Sequence, residues 1–152
     1  MQNPTNPASM NPADCNCLAL RQAARRVTQF YEGYLAPLGL KSSQYSILAR
    51  LDRRGAMSIN EIAESLVMDR TTTGRAIRPL ERDGLVRIGT AEDGRKRMVN
   101  LTVAGRRRAD EARDAWQRAQ EQFERAFGSQ AAQSLRAAMS DVVKAIPESG
   151  AA

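Results

Sequence analysis

The sequence predicts a mainly α-helical protein of about six helices with one small, two-stranded β-hairpin. Through most of the 152 residues, apolar side chains recur three and four positions apart, the period of an amphipathic helix. Only between Val86 and Leu101 do they alternate, on either side of a polar loop with an Asp93-Gly94 turn, which predicts two paired strands. The length suits a single domain.

The composition narrows the classes of function. The chain has 23 Lys and Arg against 17 Asp and Glu, a net charge of +6 that favours an anionic partner, nucleic acid before a membrane. It has no histidine, the commonest metal ligand and general base, and no glycine-rich phosphate loop. We therefore predict that the protein is not an enzyme and has no metal site or cofactor.

Three stretches of the chain are predicted to differ in order. Residues 1–14 are rich in Asn, Pro, Ala and Ser, which predicts a disordered leader. Residues 15–146 are predicted to form a single folded domain, and residues 147–152 are predicted to be a flexible tail. No apolar run reaches the roughly 18 residues that cross a bilayer, and no secretory signal pattern is present. The two cysteines, Cys15 and Cys17, are too close for an unstrained mutual disulfide, so the prediction is a cytoplasmic protein with reduced thiols.

Local signals limit the first two helices. The first is predicted from Cys17 to Leu35 and ends before Pro37. Ser42 or Ser43 is the predicted N-cap of the second helix, which Gly55 ends. Three of its apolar side chains are predicted to face inward: Tyr45, Leu48 and Leu51. Three of its cations are predicted to face water: Arg50, Arg53 and Arg54.

Two short helices follow with a tight turn between them. Ser58 and Glu61 form a capping box at the start of the third helix, in which each side chain bonds to the backbone of the other residue. Asp69 is the predicted N-cap of the fourth helix, which runs to about Asp83, and Gly84 supplies a left-handed C-cap. The third helix has four residues predicted to be inside: Ile59, Ile62, Ala63 and Leu66. This is the outline of a helix-turn-helix.

The rest of the chain adds a wing and two further helices. The hairpin has a basic tip over residues 91–97, which makes residues 42–101 a winged helix-turn-helix. Thr102 caps a long helix to about Phe127, and a last helix runs from about Gln130 to Ile146.

The fourth helix carries the strongest functional signal. Four of its side chains fall on one stripe: Thr71, Arg75, Arg78 and Arg82. Arginine pairs bidentately with guanine in the major groove, and threonine reaches phosphates or thymine methyls. An ordinary solvated face is the alternative, but the stripe contains no acidic residue and a basic hairpin follows it, so the sequence predicts binding to duplex DNA. These cations also argue against a winged helix that binds only other proteins.

Two residues of this helix are unusual. Gly74 permits a close approach of the backbone, either to DNA or to a neighbouring helix, and packing of a neighbouring helix is the preferred interpretation. Pro79 predicts a bend in the second half of the helix, because its ring clashes with the carbonyl four residues earlier.

Three segments together resemble regulators of the MarR family: Asp69–Val86, Asp93–Arg97 and Leu101–Arg106. The resemblance implies a homodimer in which helices over 15–36 and 103–146 intertwine, and hence a pseudo-palindromic operator. It implies that Arg95 reaches the minor groove and that Asp93 orients the wing arginines. Gly74 departs from the family, which usually has Ser or Thr there. The predicted DNA-contacting residues are Ser58, Arg70, Thr71, Thr72, Thr73, Arg75, Arg78, Arg95, Lys96 and Arg97. The predicted dimer interface comprises Leu18, Val27, Phe30, Trp116, Phe123, Phe127, Leu135, Met139, Val142 and Ile146.

The resemblance also implies a switch, most simply a repressor that a small aromatic or phenolic effector releases from DNA. Tyr31, Tyr34 and Tyr45 are the predicted lining of the effector pocket, with a place in the core as the alternative. The rival switch is peroxide sensing through Cys17, where the start of the first helix is expected to lower the pKa of a thiol. Cys17 and Tyr31 resemble residues of the family's organic-hydroperoxide sensors, but Ser42 stands where a second tyrosine is needed.

Overall fold

A computed structural model describes residues 11–148 of the chain. Six helices lie in this range: α1 Asn16–Leu35, α2 Ser42–Arg54, α3 Ile59–Leu66, α4 Arg70–Arg82, α5 Val103–Phe127 and α6 Ser129–Ala145. Three strands form one antiparallel sheet: β1 Met57–Ser58, β2 Val86–Thr90 and β3 Arg97–Leu101. The predicted class, mainly helical with a small winged sheet, is confirmed.

The chain ends differ from the prediction where they are described. Residues 1–10 of the predicted leader and residues 149–152 of the predicted tail lie outside the described range. Disorder is wrong for residues 11–14, because Pro12–Asp14 forms a turn of 3-10 helix, capped by the Asn11 side chain. Pro147 and Glu148 belong to no helix or strand.

The sheet contains one strand more than the predicted hairpin. β1 pairs with β3, with Met57 opposite Val99 and Ser58 opposite Met98, so the strand order is β1-β3-β2. A strand of two residues is too short for alternation to show in the sequence. Its effect is to tie the start of α3 to the base of the wing.

The start of α2 also differs from the prediction. Lys41 is the N-cap in place of Ser42 or Ser43, and its backbone N–H donates to the Gln44 side chain over 2.9 Å. Ser42 lies within the first turn, and its hydroxyl donates to Glu32 of α1 over 3.4 Å. This serine therefore joins two helices and caps neither.

The core lies where α2, α3 and α4 meet the sheet and the first half of α5. Its largest fully buried apolar side chains are Leu35, Ile47, Leu48, Ile62, Ile77, Leu80 and Val99. The long helix contributes small residues, with Ala109, Ala112, Ala115 and Ala119 all buried on one face. These alanines let α5 lie close to its neighbours.

The start of α5 is fixed directly to the end of α4. The Thr102 hydroxyl donates to the Gly84 carbonyl over 2.6 Å and accepts from the Gly105 N–H over 2.9 Å. A Cβ added at Gly105 would lie 1.8 Å from the Leu85 carbonyl oxygen, so only glycine fits this contact. The orientation of α4 is therefore coupled to that of the longest helix.

Candidate nucleic-acid interface

The start of α4 is built by Asp69. Its carboxylate accepts from the Thr72 N–H over 2.8 Å and from the Thr72 hydroxyl over 2.6 Å. These hydrogen bonds hold the pKa of Asp69 below its ordinary value, with the Thr72 hydroxyl as the largest cause. The predicted N-cap is confirmed, and it fixes the first turn of the helix.

The exposed face of α4 bears the predicted stripe. Thr71, Arg75 and Arg78 are exposed, while Ile77 and Leu80 on the opposite face are buried in the core. Within residues 11–148, Arg75 and Arg78 form no ion pair, so their guanidinium groups are available to an anion.

Arg82 differs from the rest of the stripe. Its guanidinium pairs with the Asp83 carboxylate at 3.1 Å. The stripe itself contains no acidic residue, but this neighbour partly neutralises its last member. The cations of α4 that form no ion pair in the described residues therefore lie before its last turn: Arg70, Arg75 and Arg78.

Thr73 is a correction to the predicted DNA-contacting residues. Its side chain has 0% exposure, and its hydroxyl donates to the Asp69 carbonyl over 2.9 Å. It lies on the core side of α4 beside Ile77, one turn further along the helix. A residue in this position stabilises the first turn and cannot contact DNA.

The preferred interpretation of Gly74 is also wrong. A Cβ at this position would meet nothing within 4 Å, so no neighbouring helix requires a glycine here. The residue is on the open side of α4, between Thr71 and Arg78. The helix runs unbroken through Pro79 to Arg82.

The start of α3 lies beside the wing. The Ser58 hydroxyl accepts from the Glu61 N–H over 3.2 Å, and the Glu61 carboxylate accepts from the Ser58 N–H over 2.7 Å, which confirms the capping box. Hydrogen bonds from Ser58 lower the pKa of Glu61, and the positive charges of Lys96 and Arg54 lower it further. Ser58 also pairs with Met98 of β3, so the first turn of α3 begins beside the base of the wing.

The wing has a well-formed basic tip. The Ala91 N–H donates to the Lys96 carbonyl over 2.7 Å, and Gly94 takes a left-handed conformation with φ of 70°. Asp93 accepts from the backbone N–H of Arg95 over 3.1 Å. This aspartate therefore shapes the turn through the backbone and contacts no guanidinium. Three adjacent cations of the tip are exposed: Arg95, Lys96 and Arg97.

A second feature, which we call the cavity, is an open space of about 520 Å³ between α1, α2 and α5. Its volume lies in the range of small-molecule sites. The predicted Tyr31 and Tyr45 line it, but Tyr34 does not and instead packs against Phe30 with ring centroids 5.5 Å apart. The lining also includes Val27, Thr28, Leu35, Ser42, Ser46, Ala49, Arg50, Arg53, Ala109, Arg113, Trp116 and Gln117.

The tyrosines of the cavity carry protonated hydroxyls at neutral pH. Burial is the largest cause that raises the pKa of Tyr31 and of Tyr45 above the ordinary value. The Tyr31 hydroxyl donates to the Gln120 side chain over 2.6 Å. Tyr45 lies near Trp116, with ring centroids 6.5 Å apart, so one wall of the cavity is aromatic.

Three arginines line the cavity and were missed as site residues: Arg50, Arg53 and Arg113. Arg113 pairs with Asp52 at 2.6 Å and with Asp110 at 2.9 Å, so its charge is balanced. Arg50 was predicted to face water, but it is half-buried and donates to the carbonyls of Ser46 and Ser65. Asp52 and Ser65 are distant in sequence from the arginines that they contact, so no local pattern of the chain indicates these two contacts.

The cysteines lie apart from the cavity. Both are exposed, and the Cys15 sulfur accepts from the Leu18 N–H over 3.4 Å as the N-cap of α1. Cys17 lies in the first turn, whereas Tyr31 is 14 residues further along the same helix, about 21 Å away at 1.5 Å per residue. Tyr31 of the same chain therefore cannot assist the Cys17 thiol, and the geometry does not favour the redox switch.

Large apolar side chains remain uncovered on the helical region. Phe127 is 51% exposed and Ile146 is 67% exposed, and the predicted interface residues Leu18, Trp116 and Val142 are exposed as well. Within α6, Ala132 is the one buried residue. Exposed apolar side chains of this size normally mark an interaction site where they form a patch.

The part of the chain from residue 11 to residue 148 contains no group of three or more acidic, cysteine or histidine residues arranged to hold a metal ion. None of its helices is long and apolar enough to cross a membrane.

Comparisons with known proteins agree with this architecture. The model of the MarR family matches residues 40–96. An uncharacterized HTH-type transcriptional regulator of Bacillus subtilis, YwoH, is 35% identical over 92 residues, which cover 60% of this chain and 67% of YwoH. The M. tuberculosis transcriptional regulator MosR, in complex with DNA, is 30% identical with a TM-score of 0.75, and the match covers 87% of this chain and 98% of MosR.

A third structure is similar in fold alone. Bordetella bronchiseptica BpsR is 18% identical with a TM-score of 0.78, and the match covers 89% of this chain and 98% of BpsR. The fold, the exposed cationic helix and these relatives define a winged-helix, DNA-binding transcriptional regulator. The chain belongs to the MarR family.

Proposed function

We propose that the protein is a dimeric repressor that binds a pseudo-palindromic operator and releases it when a small aromatic anion occupies the cavity. The observation that carries the DNA-binding part is the pairing of two exposed cationic elements on one lobe. Arg70, Arg75 and Arg78 of α4 and the cations at the tip of the wing are exposed and have no acidic partner in the described residues.

The DNA contacts proposed for α4 and the wing follow from the way a helix and a hairpin fit the grooves of duplex DNA. A helix fits the major groove, where Arg75 and Arg78 would reach guanines or phosphates and Thr71 a phosphate or a thymine methyl. Arg95 at the wing tip would enter the neighbouring minor groove. The remaining proposed contacts are to phosphates: Ser58, Arg70, Thr72, Lys96 and Arg97.

The dimer is proposed from the uncovered apolar surface. Leu18 of α1, Phe127 at the end of α5, and Val142 and Ile146 at the end of the chain's last helix are exposed in the described residues, and a second copy would bury them. Two α4 helices related by a two-fold axis would meet half-sites about one turn of DNA apart.

The class of effector is proposed from the lining of the cavity. Its aromatic wall of Tyr45 and Trp116, beside the cation Arg50, suits a flat ring with an acidic group. DNA binding by BpsR is regulated by 6-hydroxynicotinic acid, a ligand of this kind on the same fold. The redox alternative through Cys17 is not proposed, because the distance to Tyr31 gives it no support.

A titration by fluorescence anisotropy tests the DNA-binding part. The wild type, Arg75→Ala and Arg118→Ala are compared on DNA from upstream of the protein's own gene, at two salt concentrations. Arg118 is an exposed cation of α5 and controls for the loss of one charge. We expect Arg75→Ala to lose about 1–3 kcal/mol of specific binding and Arg118→Ala almost none.

The salt dependence adds a second criterion. For the wild type, the logarithm of affinity should fall with the logarithm of salt concentration by about 0.9 per phosphate contacted. Equal losses in the two variants would show that only overall charge matters and would contradict the proposed role of α4.

A further inference from the structure

Arg50 lies between the cavity and the helix-turn-helix. It lines both the cavity and the cleft between α2 and α3, as do Ala49 and Arg53. Its guanidinium donates to the Ser65 carbonyl over 3.0 Å and to the Ser46 carbonyl over 3.3 Å. One side chain thus joins the wall of the cavity to the end of α3.

The contact with Ser65 caps a helix. α3 ends at Leu66, and the last four carbonyls of a helix have no partner within it. A cation at this end also interacts favourably with the helix dipole. Arg50 therefore stabilises the end of α3 from outside the helix-turn-helix.

The turn immediately after this cap is strained. Val67 has φ of 53° and ψ of 46°, the left-handed conformation that β-branched residues avoid. It is the one non-glycine residue with positive φ in the described part of the chain. This turn determines how α4 follows α3, and the Met68 N–H donating to the Ala63 carbonyl over 2.9 Å helps to hold it.

Arg50 forms no ion pair with a carboxylate in the described residues. Its two hydrogen bonds go to neutral carbonyls, whereas the other arginine with partners in the cavity, Arg113, is paired with Asp52 and Asp110. A carboxylate can accept two parallel hydrogen bonds from a guanidinium and also carries the opposite charge, whereas each backbone carbonyl accepts from Arg50 as a single neutral group. A carboxylate in the cavity would therefore compete well for the Arg50 guanidinium.

We propose that Arg50 transmits occupancy of the cavity to α4: the carboxylate of a bound aromatic acid draws the guanidinium away from the Ser65 carbonyl, and the strained turn at Val67 then relaxes and reorients α4. This inference rests on the proposed function and adds a route of regulation to it. Arg50 acts as a positioning residue, because its effect on DNA passes through α3 and the turn.

The first test asks whether the cavity binds an aromatic carboxylate. Trp116 is the only tryptophan of the chain and lines the cavity, so its fluorescence reports binding without DNA. Benzoate and its neutral analogue benzamide are the probes, with sodium chloride added to match ionic strength. We expect benzoate to change the fluorescence with saturation and benzamide to bind at least tenfold more weakly. Equal binding of the two would overturn the proposal.

The second test asks whether binding loosens the turn. Hydrogen exchange of the Val67 and Met68 amides is measured in the wild type, with and without saturating benzoate. We expect exchange at these amides to rise severalfold with benzoate and not with benzamide. Unchanged exchange with benzoate bound would overturn the proposal, and this result requires neither DNA nor a variant.

The third test couples the site to DNA affinity through matched variants. Arg50→Gln and Arg53→Gln remove one charge each from the same helix and the same cavity, but only Arg50 donates to α3 in the described residues. We expect saturating benzoate to weaken DNA binding of the wild type and of Arg53→Gln about tenfold. Arg50→Gln should bind DNA more weakly from the start and show no response.

The outcomes separate this inference from the proposed function. If benzoate no longer weakened DNA binding of Arg53→Gln but still weakened that of Arg50→Gln, the proposed role of Arg50 would be overturned and the proposed function would stand. Absence of specific DNA binding by the wild type would contradict the proposed function, while fluorescence and exchange would still decide the link from the cavity to the turn. If Arg50→Gln fails to fold, judged by its unfolding midpoint, Arg50→Lys serves instead: it retains the charge but not the two-carbonyl contact.

Discussion

At the scale of single residues, Gly74 is the position of α4 where the family resemblance and the open space around the residue lead to one prediction. The position is open, on the exposed side of α4, and the family resemblance implies a Ser or Thr there that contacts a phosphate. We expect Gly74→Ser to tighten DNA binding about tenfold, since a hydrogen bond to a charged group contributes about 1.5 kcal/mol. The measurement is the anisotropy titration on the same DNA.

The matched control for this change is Gly74→Ala. Both substitutions should raise the free energy of unfolding, by up to about 1 kcal/mol for alanine, because glycine is unfavourable inside a helix. Only serine adds a hydroxyl. Equal DNA affinities for the serine and alanine variants would contradict the phosphate contact, and a loss of affinity in both would show that DNA requires the bare backbone.

Residues with local partners were the ones that the sequence predicted well. Ser58, Asp69 and Thr102 each cap a helix through an atom three residues away, so their spacing alone indicates their role. Arg50 and Gly105 could not be predicted in this way. Their contacts are with Ser65 and with Leu85, 15 and 20 residues away in the printed sequence, and depend on how the helices pack.

At the scale of elements, the two helices of the helix-turn-helix begin at ionised carboxylates. Hydrogen bonds lower the folded pKa of Asp69 and of Glu61, so their stabilisation is fully present above the unfolded pKa and is lost as pH falls through the folded value. We expect the free energy of unfolding to fall from about pH 5 downward, and less steeply in Asp69→Asn. Chemical denaturation at a series of pH values measures this.

Asparagine is a good N-cap, so Asp69→Asn keeps the cap and removes only the titration. Glu121→Gln is the control, because Glu121 is an exposed carboxylate of α5 without a hydrogen bond in the described residues. A pH dependence that is unchanged in Asp69→Asn, or is reduced equally in Glu121→Gln, would contradict a specific role for the cap.

The elements themselves were predictable to different degrees. All six helices follow from apolar periodicity and from caps, because these signals extend over several turns. β1 has two residues and no pattern of its own, and its pairing with β3 exists only in the folded chain. The cavity, too, exists only in the folded chain. Tyr31 and Tyr45 line it as predicted, but Tyr34 does not, because which tyrosine of α1 faces the cavity depends on how α1 is rotated against α5.

At the scale of the whole molecule, the cavity and the DNA-binding lobe share one rigid support. α5 lines the cavity with Arg113 and Trp116, and its first turn is fixed to the end of α4 through Thr102. A dimer formed by α1, α5 and α6 would therefore set the separation of the two α4 helices directly. DNA affinity should then depend on dimerisation as strongly as on the cations of α4.

This dependence gives the last prediction. We expect Phe127→Asp to convert the dimer to a monomer, because a charge would replace an apolar side chain that is 51% exposed in the single chain and would be buried by a second copy. Operator affinity should fall by at least a hundredfold, since a monomer contacts one half-site. Sedimentation equilibrium and the anisotropy titration measure the two effects.

Val103→Asn is the control for the loss of an exposed apolar side chain. Val103 is 81% exposed at the start of α5, outside the predicted interface, so this variant should remain a dimer with nearly unchanged affinity. A Phe127→Asp variant that stays dimeric would place the interface elsewhere. A monomeric variant that keeps full operator affinity would show that one copy suffices, and the two-fold operator would have to be abandoned.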